Sequence, residues 1–280
     1  MMDITDTSVI KEDEKEFSDL KAIIKKKIAF NCDQYKQAHL KRRLAVRLRA
    51  TKSNSYRNYA EILLVNGEEQ QKLKDTLTVN VTELFRNPET YEIFGERALP
   101  EIVKSKTADK TIKIWSAGCS NGEEPYSIAI MLFEYLGGLA KRYSISILGT
   151  DIDEDSLGKA QKGIFQLKQL EKMSKERLER FFNKKDDNTF QIRDDIFHVM
   201  KFRNHDMISG PKLYGFDVIF CRNVTIYFEQ ELQEKLYLNF YNSLNSGGFF
   251  VMGKTETLIG PAADLFYPID VRERIYQKRR

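Results

Sequence analysis

The run IWSAGCSNGEEPYS, from Ile114 to Ser127, decides the fold of this chain. It reads as a buried β-strand that gives way at Ser116–Ala117 to a loop of small residues and restarts as a helix near Glu123. Gly118 and Gly122 let the backbone turn tightly and let a ligand approach, because glycine carries no Cβ. Pro125 suits the first turn of a helix, where its missing N–H is not needed. A strand, a glycine turn and a helix N-terminus make the nucleotide-handling corner of an α/β sheet. Here, however, Glu123 and Glu124 stand where a dinucleotide-binding protein holds its phosphates. They would repel a diphosphate, so a ligand with sugar hydroxyls or positive charge fits better.

Around this corner the chain alternates strand and helix. Strand 112–117 leads to a helix over 123–136 closed by Gly137–Gly138, then strand 145–150 and a helix to about Lys162. Strand Phe216–Cys221 precedes a helix over about 229–244, strand 249–252 and a last, antiparallel strand at 274–277. Apolar strands alternating with helices predict a parallel sheet covered on both faces. Residues 165–203 break the rhythm. A helix over 174–182 and two short alternating strands, 190–193 and 198–202, predict a small insertion carrying a β-hairpin.

The first third reads as helical. Phe17 to Phe30 has near-helical apolar spacing, and Asp33 is the expected N-cap of a helix reaching Arg49 with Leu40, Leu44 and Leu48 aligned. Ser55 is the expected cap of the next helix, which ends at Asn66–Gly67, and another follows from Glu68 to about Leu77.

The chain has 280 residues, 41% hydrophobic and 31% charged, enough for a medium domain beside a small one. Its net charge of +4 is unevenly spread. Met1 to Leu20 holds seven acids against two lysines, whereas Lys21 to Arg49 holds ten basic residues and one acid, Asp33. The basic block suits an acidic partner, protein or nucleic acid, or is a solvated helix face; Arg42, Arg43 and Arg47 are its expected contact residues. No run reaches the roughly 18–20 apolar residues of a membrane span, and the acidic start is unlike a signal peptide. Cys32, Cys119 and Cys221 are odd in number and scattered, which argues for a reducing cytoplasm. His39, His198 and His205 lack metal-ligand spacing, so no metal is expected.

In an open α/β sheet, ligands bind beyond the carboxyl ends of the strands. Glu123, Asp151, Asp206 and Arg222–Asn223 all follow predicted strands and should meet in one crevice. Asp151 can accept two ribose hydroxyls there, or else cap the helix behind it.

Taken together, NVTELFR at 80–86, SAGCSNGEEPYS at 116–127, GTDID at 149–153 and FDVIFCRNVTIYF at 216–228 resemble the chemotaxis-receptor glutamate methyltransferases, the CheR family. Leu84 stands where an aromatic residue is common, and Asn121 where threonine is usual. The resemblance implies a class I methyltransferase-like doubly wound sheet with a small β-subdomain insertion, preceded by a small all-α N-terminal domain. Charge and pattern divide the chain into an acidic tail over 1–16, expected to be disordered, a helical domain over 17–80, and a domain over 81–280, which the resemblance makes the methyltransferase domain, with its insertion at about 165–203. The resemblance implies S-adenosyl-L-methionine as cofactor, with contacts from Asn80, Thr82, Arg86, Glu123, Asp151, Asp206, Met207, Arg222 and Asn223, and places Arg86 and Tyr227 at the methyl-transfer centre. The implied acceptors are glutamates on the cytoplasmic helical bundle of chemotaxis receptors, met by the basic helix over about 33–49. A monomer acting in the cytoplasm is expected, without nucleic acid or membrane insertion. Two other readings remain at this stage: a catalytically silent cofactor-binding regulator, and a nucleic-acid methyltransferase using the basic helix.

Overall fold

The structure is a computed structural model and describes residues 14–78, 80 and 82–279. Of the acidic tail expected over 1–16, residues 1–13 lie outside the described part, and Glu14–Glu16 open the first helix. The chain forms two units: one of the described residues up to 78 with Tyr227–Glu229, the other of Asn80 to Ile226 and Gln230 onward. Among the described residues no helix is long and apolar enough to cross a membrane.

In the first unit, helices Glu14–Ile28, Gln37–Ala50, Tyr56–Val65 and Gly67–Leu77 close over Leu20, Ile24, Leu44, Tyr59, Leu63 and Leu73, which are fully buried. Ser55 caps as expected, its Oγ accepting the Asn58 N–H at 3.1 Å. Asp33 does not cap the long helix. Asn31 caps a short 3-10 turn instead, Cys32–Gln34. Tyr35 then bridges to Phe228 in extended conformation, and Lys36 donates its N–H to the Tyr227 carbonyl. That pairing holds the backbone out of the helical region until Gln37. Arg47, expected on the outer basic face, turns inward: its guanidinium grips Glu69 at 2.9 and 2.6 Å, and Tyr59 donates its hydroxyl to the same carboxylate.

In the second unit the strands are β1 (Thr111–Ala117), β2 (Ser144–Asp151), β3 (Ile164–Gln166), β4 (Phe182–Lys184), β5 (Thr189–Ile192), β6 (Met200–Asn204), β7 (Phe216–Cys221), β8 (Leu244–Met252), β9 (Phe266–Asp270) and β10 (Ile275–Lys278). A seven-stranded sheet runs β6-β2-β1-β7-β8-β10-β9. Its first five strands are parallel, and β10 pairs antiparallel with β8 and β9. Every residue of β7 is buried, as a central strand covered on both faces requires. The strand order turns back between β1 and β7. In a doubly wound sheet that switch point opens the ligand crevice.

The insertion differs from the expected hairpin. Segments 190–193 and 198–202 do not pair. β5 lies between β3 and β4 in a separate three-stranded antiparallel sheet, Asp194–Phe197 makes a helical turn, and β6 joins the main sheet beside β2. Phe165 packs edge-on to Phe182 in the small sheet, while Phe202 packs against Tyr126, on the helix that covers β1.

Candidate methyl-donor site

The glycine loop is anchored by strand β2. The N–H groups of Gly118 and Cys119 both donate to the Thr150 carbonyl, at 2.8 and 2.9 Å, and Trp115 Nε1 donates to the Thr150 hydroxyl. Gly118 and Gly122 have φ of +78° and +97°. A Cβ at Gly118 would lie 2.6 Å from Val224, and one at Gly122 would lie 2.8 Å from Ala160, so both positions need glycine for conformation and for space.

The helix Glu123–Leu136 starts directly behind the loop with Gly122 as its N-cap. Glu123 is 1% exposed; its Oε1 accepts from Gln169 Nε2 at 3.1 Å, and its buried Oε2 has no partner. Burial raises its pKa, which the Gln169 hydrogen bond partly offsets. Glu124 turns the other way. It accepts from Ser116 Oγ at 2.7 Å and lies 3.8 Å from the Arg222 guanidinium; burial raises its pKa while Arg222 pulls it down.

Asp151 ends β2 and holds two backbone groups: Oδ2 accepts from Ser120 N at 2.8 Å and Oδ1 from Asp153 N at 3.0 Å. Helix capping falls to Asp153, which accepts from Asp155 N, so Asp151 faces the glycine loop. Burial raises the Asp151 pKa against these hydrogen bonds. Asn80 is drawn to the same loop, donating to Asp153 Oδ2 at 2.7 Å and accepting from Ser120 Oγ at 3.0 Å. The His205 N–H donates to the Asp151 carbonyl, which sets Asp206 and Met207 just past Asp151. Asp206 folds its own loop, accepting from Ile208 N at 2.8 Å and from the Ser209 hydroxyl. Thr82 and Met207 are half-buried.

Arg222 is the first residue after β7 and is 6% exposed. Its Nη2 donates to the Arg86 carbonyl at 2.7 Å and to Asn87 Oδ1 at 3.2 Å; its Nη1 donates to Tyr91 OH at 3.2 Å. Its Nε is buried without a partner. Asn223 follows at φ +61°. The carbonyl grip draws the Arg86 segment to the switch point. Tyr227 belongs to the helical unit, where its ring lies edge-on to His39 at 5.6 Å.

Sequence reasoning missed Glu256. This buried acid follows β8, and the same rule that singled out Asp151 and Asp206, acids just past strand carboxyl ends, would have found it. It also missed Gln169, in a four-residue helix of the insertion, for which no local signal exists.

The donor set fits S-adenosylmethionine. That molecule carries a sulfonium, an ammonium, two ribose hydroxyls and a carboxylate. The orphaned Glu123 Oε2 and the Asp151 carboxylate suit the cationic and hydroxyl groups, and the Arg86 guanidinium and the unpartnered Arg222 Nε suit the carboxylate. The family model described as "CheR methyltransferase, SAM binding domain" matches residues 80–275, and the one described as "CheR methyltransferase, all-alpha domain" matches residues 15–78. Chemotaxis protein methyltransferase 2 of Vibrio cholerae is 35% identical over 228 residues, 80% of this chain and 78% of that protein. The chemotaxis protein methyltransferase of Listeria innocua is 30% identical over 249 residues, 89% of this chain and 92% of that protein. The Borreliella burgdorferi protein of the same name is 29% identical over 251 residues, 88% and 89% of the two chains. With acids where phosphates would sit, and with both of its units matched in order, the chain belongs to the CheR methyltransferase family and is an S-adenosylmethionine-dependent methyltransferase.

Proposed function

We propose that this enzyme methylates glutamate side chains on the cytoplasmic helical bundle of chemotaxis receptors, forming methyl esters. The observation that supports the reading is that both CheR methyltransferase family models match the chain in order, the all-alpha one over residues 15–78 and the SAM-binding one over residues 80–275. Burial pushes the Cys119 and Cys221 thiols well above their ordinary range, which keeps both protonated at neutral pH. An acceptor that arrives ionised needs no base, and a glutamate with a pKa of about 4.3 is ionised at neutral pH. When bound, S-adenosylmethionine supplies an electrophilic methyl group: a carboxylate lone pair forms the C–O bond as the C–S electrons pass to sulfur, and no proton moves.

The chain's own task is then positioning at about 3–3.5 Å. Arg86 is assigned to hold a carboxylate in its planar fork, and the Tyr227 hydroxyl to orient the acceptor. The basic helix Gln37–Ala50, with Arg42 and Arg49 exposed, is assigned to the acidic receptor bundle, the enzyme acting as a cytoplasmic monomer. A transfer assay with labelled methyl donor tests the proposal. Label should appear on receptor glutamates as base-labile ester. Stable label on RNA without ester would overturn it, and tight binding of S-adenosylhomocysteine without turnover would mark a silent regulator.

A further inference from the structure

Glu256 is 3% exposed and lies just beyond β8, and its carboxylate reaches both the end of its own strand and the neighbouring strand's loop. Its carboxylate gathers the loop that follows β7. Oε2 accepts from Asn223 N at 2.9 Å and from Gly253 N at 2.6 Å. Oε1 accepts from Val224 N at 3.0 Å, and from Thr225 N and Thr225 Oγ1 at 2.8 Å each. The threonine hydroxyl spends its single proton on Glu256, so at 2.9 Å it accepts from Tyr237 OH.

Successive N–H groups converging on one anion, with a left-handed residue among them, form a backbone nest. Here Asn223 supplies the left-handed turn at φ +61°, and the anion is a side chain of the protein itself. Two parts of the methyl-donor site hang on this nest. Val224, inside it, presses on the glycine loop: a Cβ added at Gly118 would meet its Cγ2 at 2.6 Å. Arg222, immediately before it, is the residue that grips the Arg86 carbonyl.

We propose that Glu256 is a positioning residue of the methyl-donor site, the internal anion whose nest sets Asn223 and Arg222 for the cofactor. It touches neither cofactor nor acceptor and acts through the loop. A glutamine cannot replace it. The amide offers one acceptor oxygen in place of two and turns an N–H pair toward N–H donors, leaving buried donors unsatisfied. Gly253 gives an independent handle, because a Cβ there would stand 2.8 Å from both Asn223 N and Glu256 Oε2. Gly253→Ala therefore wedges the carboxylate away from the nest and leaves its charge in place.

The inference rests on S-adenosylmethionine as the ligand of this corner, and a binding measurement does not involve the methyl acceptor, so failure of the receptor reading would leave it standing. Calorimetry on the full chain with S-adenosylhomocysteine separates the folded fraction, read as stoichiometry, from the quality of the site, read as Kd. Glu256→Gln is expected to weaken Kd by about tenfold or more at a stoichiometry near that of the unaltered chain. Gly253→Ala is expected to weaken it several-fold. A fall in stoichiometry or melting temperature with an unchanged Kd would make Glu256 a purely structural group and overturn the proposal. If Glu256→Gln does not fold, Gly253→Ala decides by the same two readings.

Discussion

The Arg222 guanidinium holds the backbone carbonyl of Arg86 at 2.7 Å, between two residues in left-handed conformation, Phe85 at φ +51° and Asn87 at φ +58°. For a phenylalanine that conformation costs on the order of 1–3 kcal/mol and persists only where surrounding contacts impose it. The Phe85 N–H donates to Ser127 Oγ at 2.8 Å, and its ring lies 4.1 Å from the Arg177 guanidinium. Arg86 is thus presented on a short strained segment held from both sides.

Removing the grip should release that segment. Arg222→Ala takes away the partner of the buried Glu124 and the donor to Arg86, Asn87 and Tyr91. Loss of one member of a buried pair suggests about 3 kcal/mol of stability. Urea unfolding should show that loss, and Arg222→Lys should recover only part of it, since a point charge cannot replace the planar fork. Full recovery by lysine would mean that only charge matters at this position.

The pH dependence has a definite sign. Burial raises the pKa values of Glu123, Glu124 and Asp151, so ionising them costs more in the folded chain than in the unfolded one. Their contribution to the stability of the ligand-free chain is greatest when they are protonated. It declines as pH rises through their unfolded pKa values and levels off above the folded ones. A cationic ligand favours the ionised forms, so affinity for S-adenosylmethionine should rise with pH over the same acidic range, with protons released on binding. S-adenosylhomocysteine lacks the sulfonium charge and should show a shallower slope. Calorimetry in buffers of different ionisation enthalpy measures both, and affinity that falls with rising pH would contradict the account.

Gln169 gives that dependence a handle. It donates to Glu123 Oε1, and its own Oε1 accepts the Gln166 N–H at 2.8 Å. Gln169→Glu keeps the acceptor for Gln166 but sets a like charge beside a buried acid. The midpoint of cofactor binding should move up by about one pH unit or more. An unmoved midpoint would remove Gln169 from the site. Lys159 and Cys119 also interact with Glu123 and are left unaltered by the exchange.

On the basic helix the arginines are not equivalent. Arg42, Arg43 and Arg49 changed together to glutamate should lower receptor methylation, and the rate of the unaltered enzyme should fall as salt is raised, while cofactor affinity stays constant. Arg47→Glu should instead unfold the helical unit, because Glu69 and Tyr59 would face a second carboxylate in a half-buried network. Circular dichroism with a methylation assay separates the two outcomes. An equal, purely kinetic effect from Arg47→Glu would refute the distinction.

The elements around the glycine loop were legible because the signals are local. A run such as Phe216–Cys221, apolar at every position but Asp217, can only be a covered strand, and Gly118 and Gly122 announce backbone that other residues cannot adopt. Short alternating segments carried less. Residues 190–192 and 200–202 share one pattern, yet one lies in the small sheet and the other at the edge of the large one, which the pattern alone does not distinguish. Asp33 read as a cap because aspartate favours caps, but the pairing of Tyr35 and Lys36 with residues 227–228 overrode that preference.

By itself, then, the sequence determined the strands and helices around the glycine corner, its acid lining and the family, since these depend on periodicity, backbone permission and residue type within a few positions. Only the tertiary structure decided what each polar group holds. Arg47 faces Glu69, Asp151 clamps the glycine loop, Arg222 grips Arg86, and Glu256 gathers the loop after β7. A buried charge must find its partners wherever the folded chain brings donors and acceptors within about 3 Å, and that proximity is not written in sequence distance.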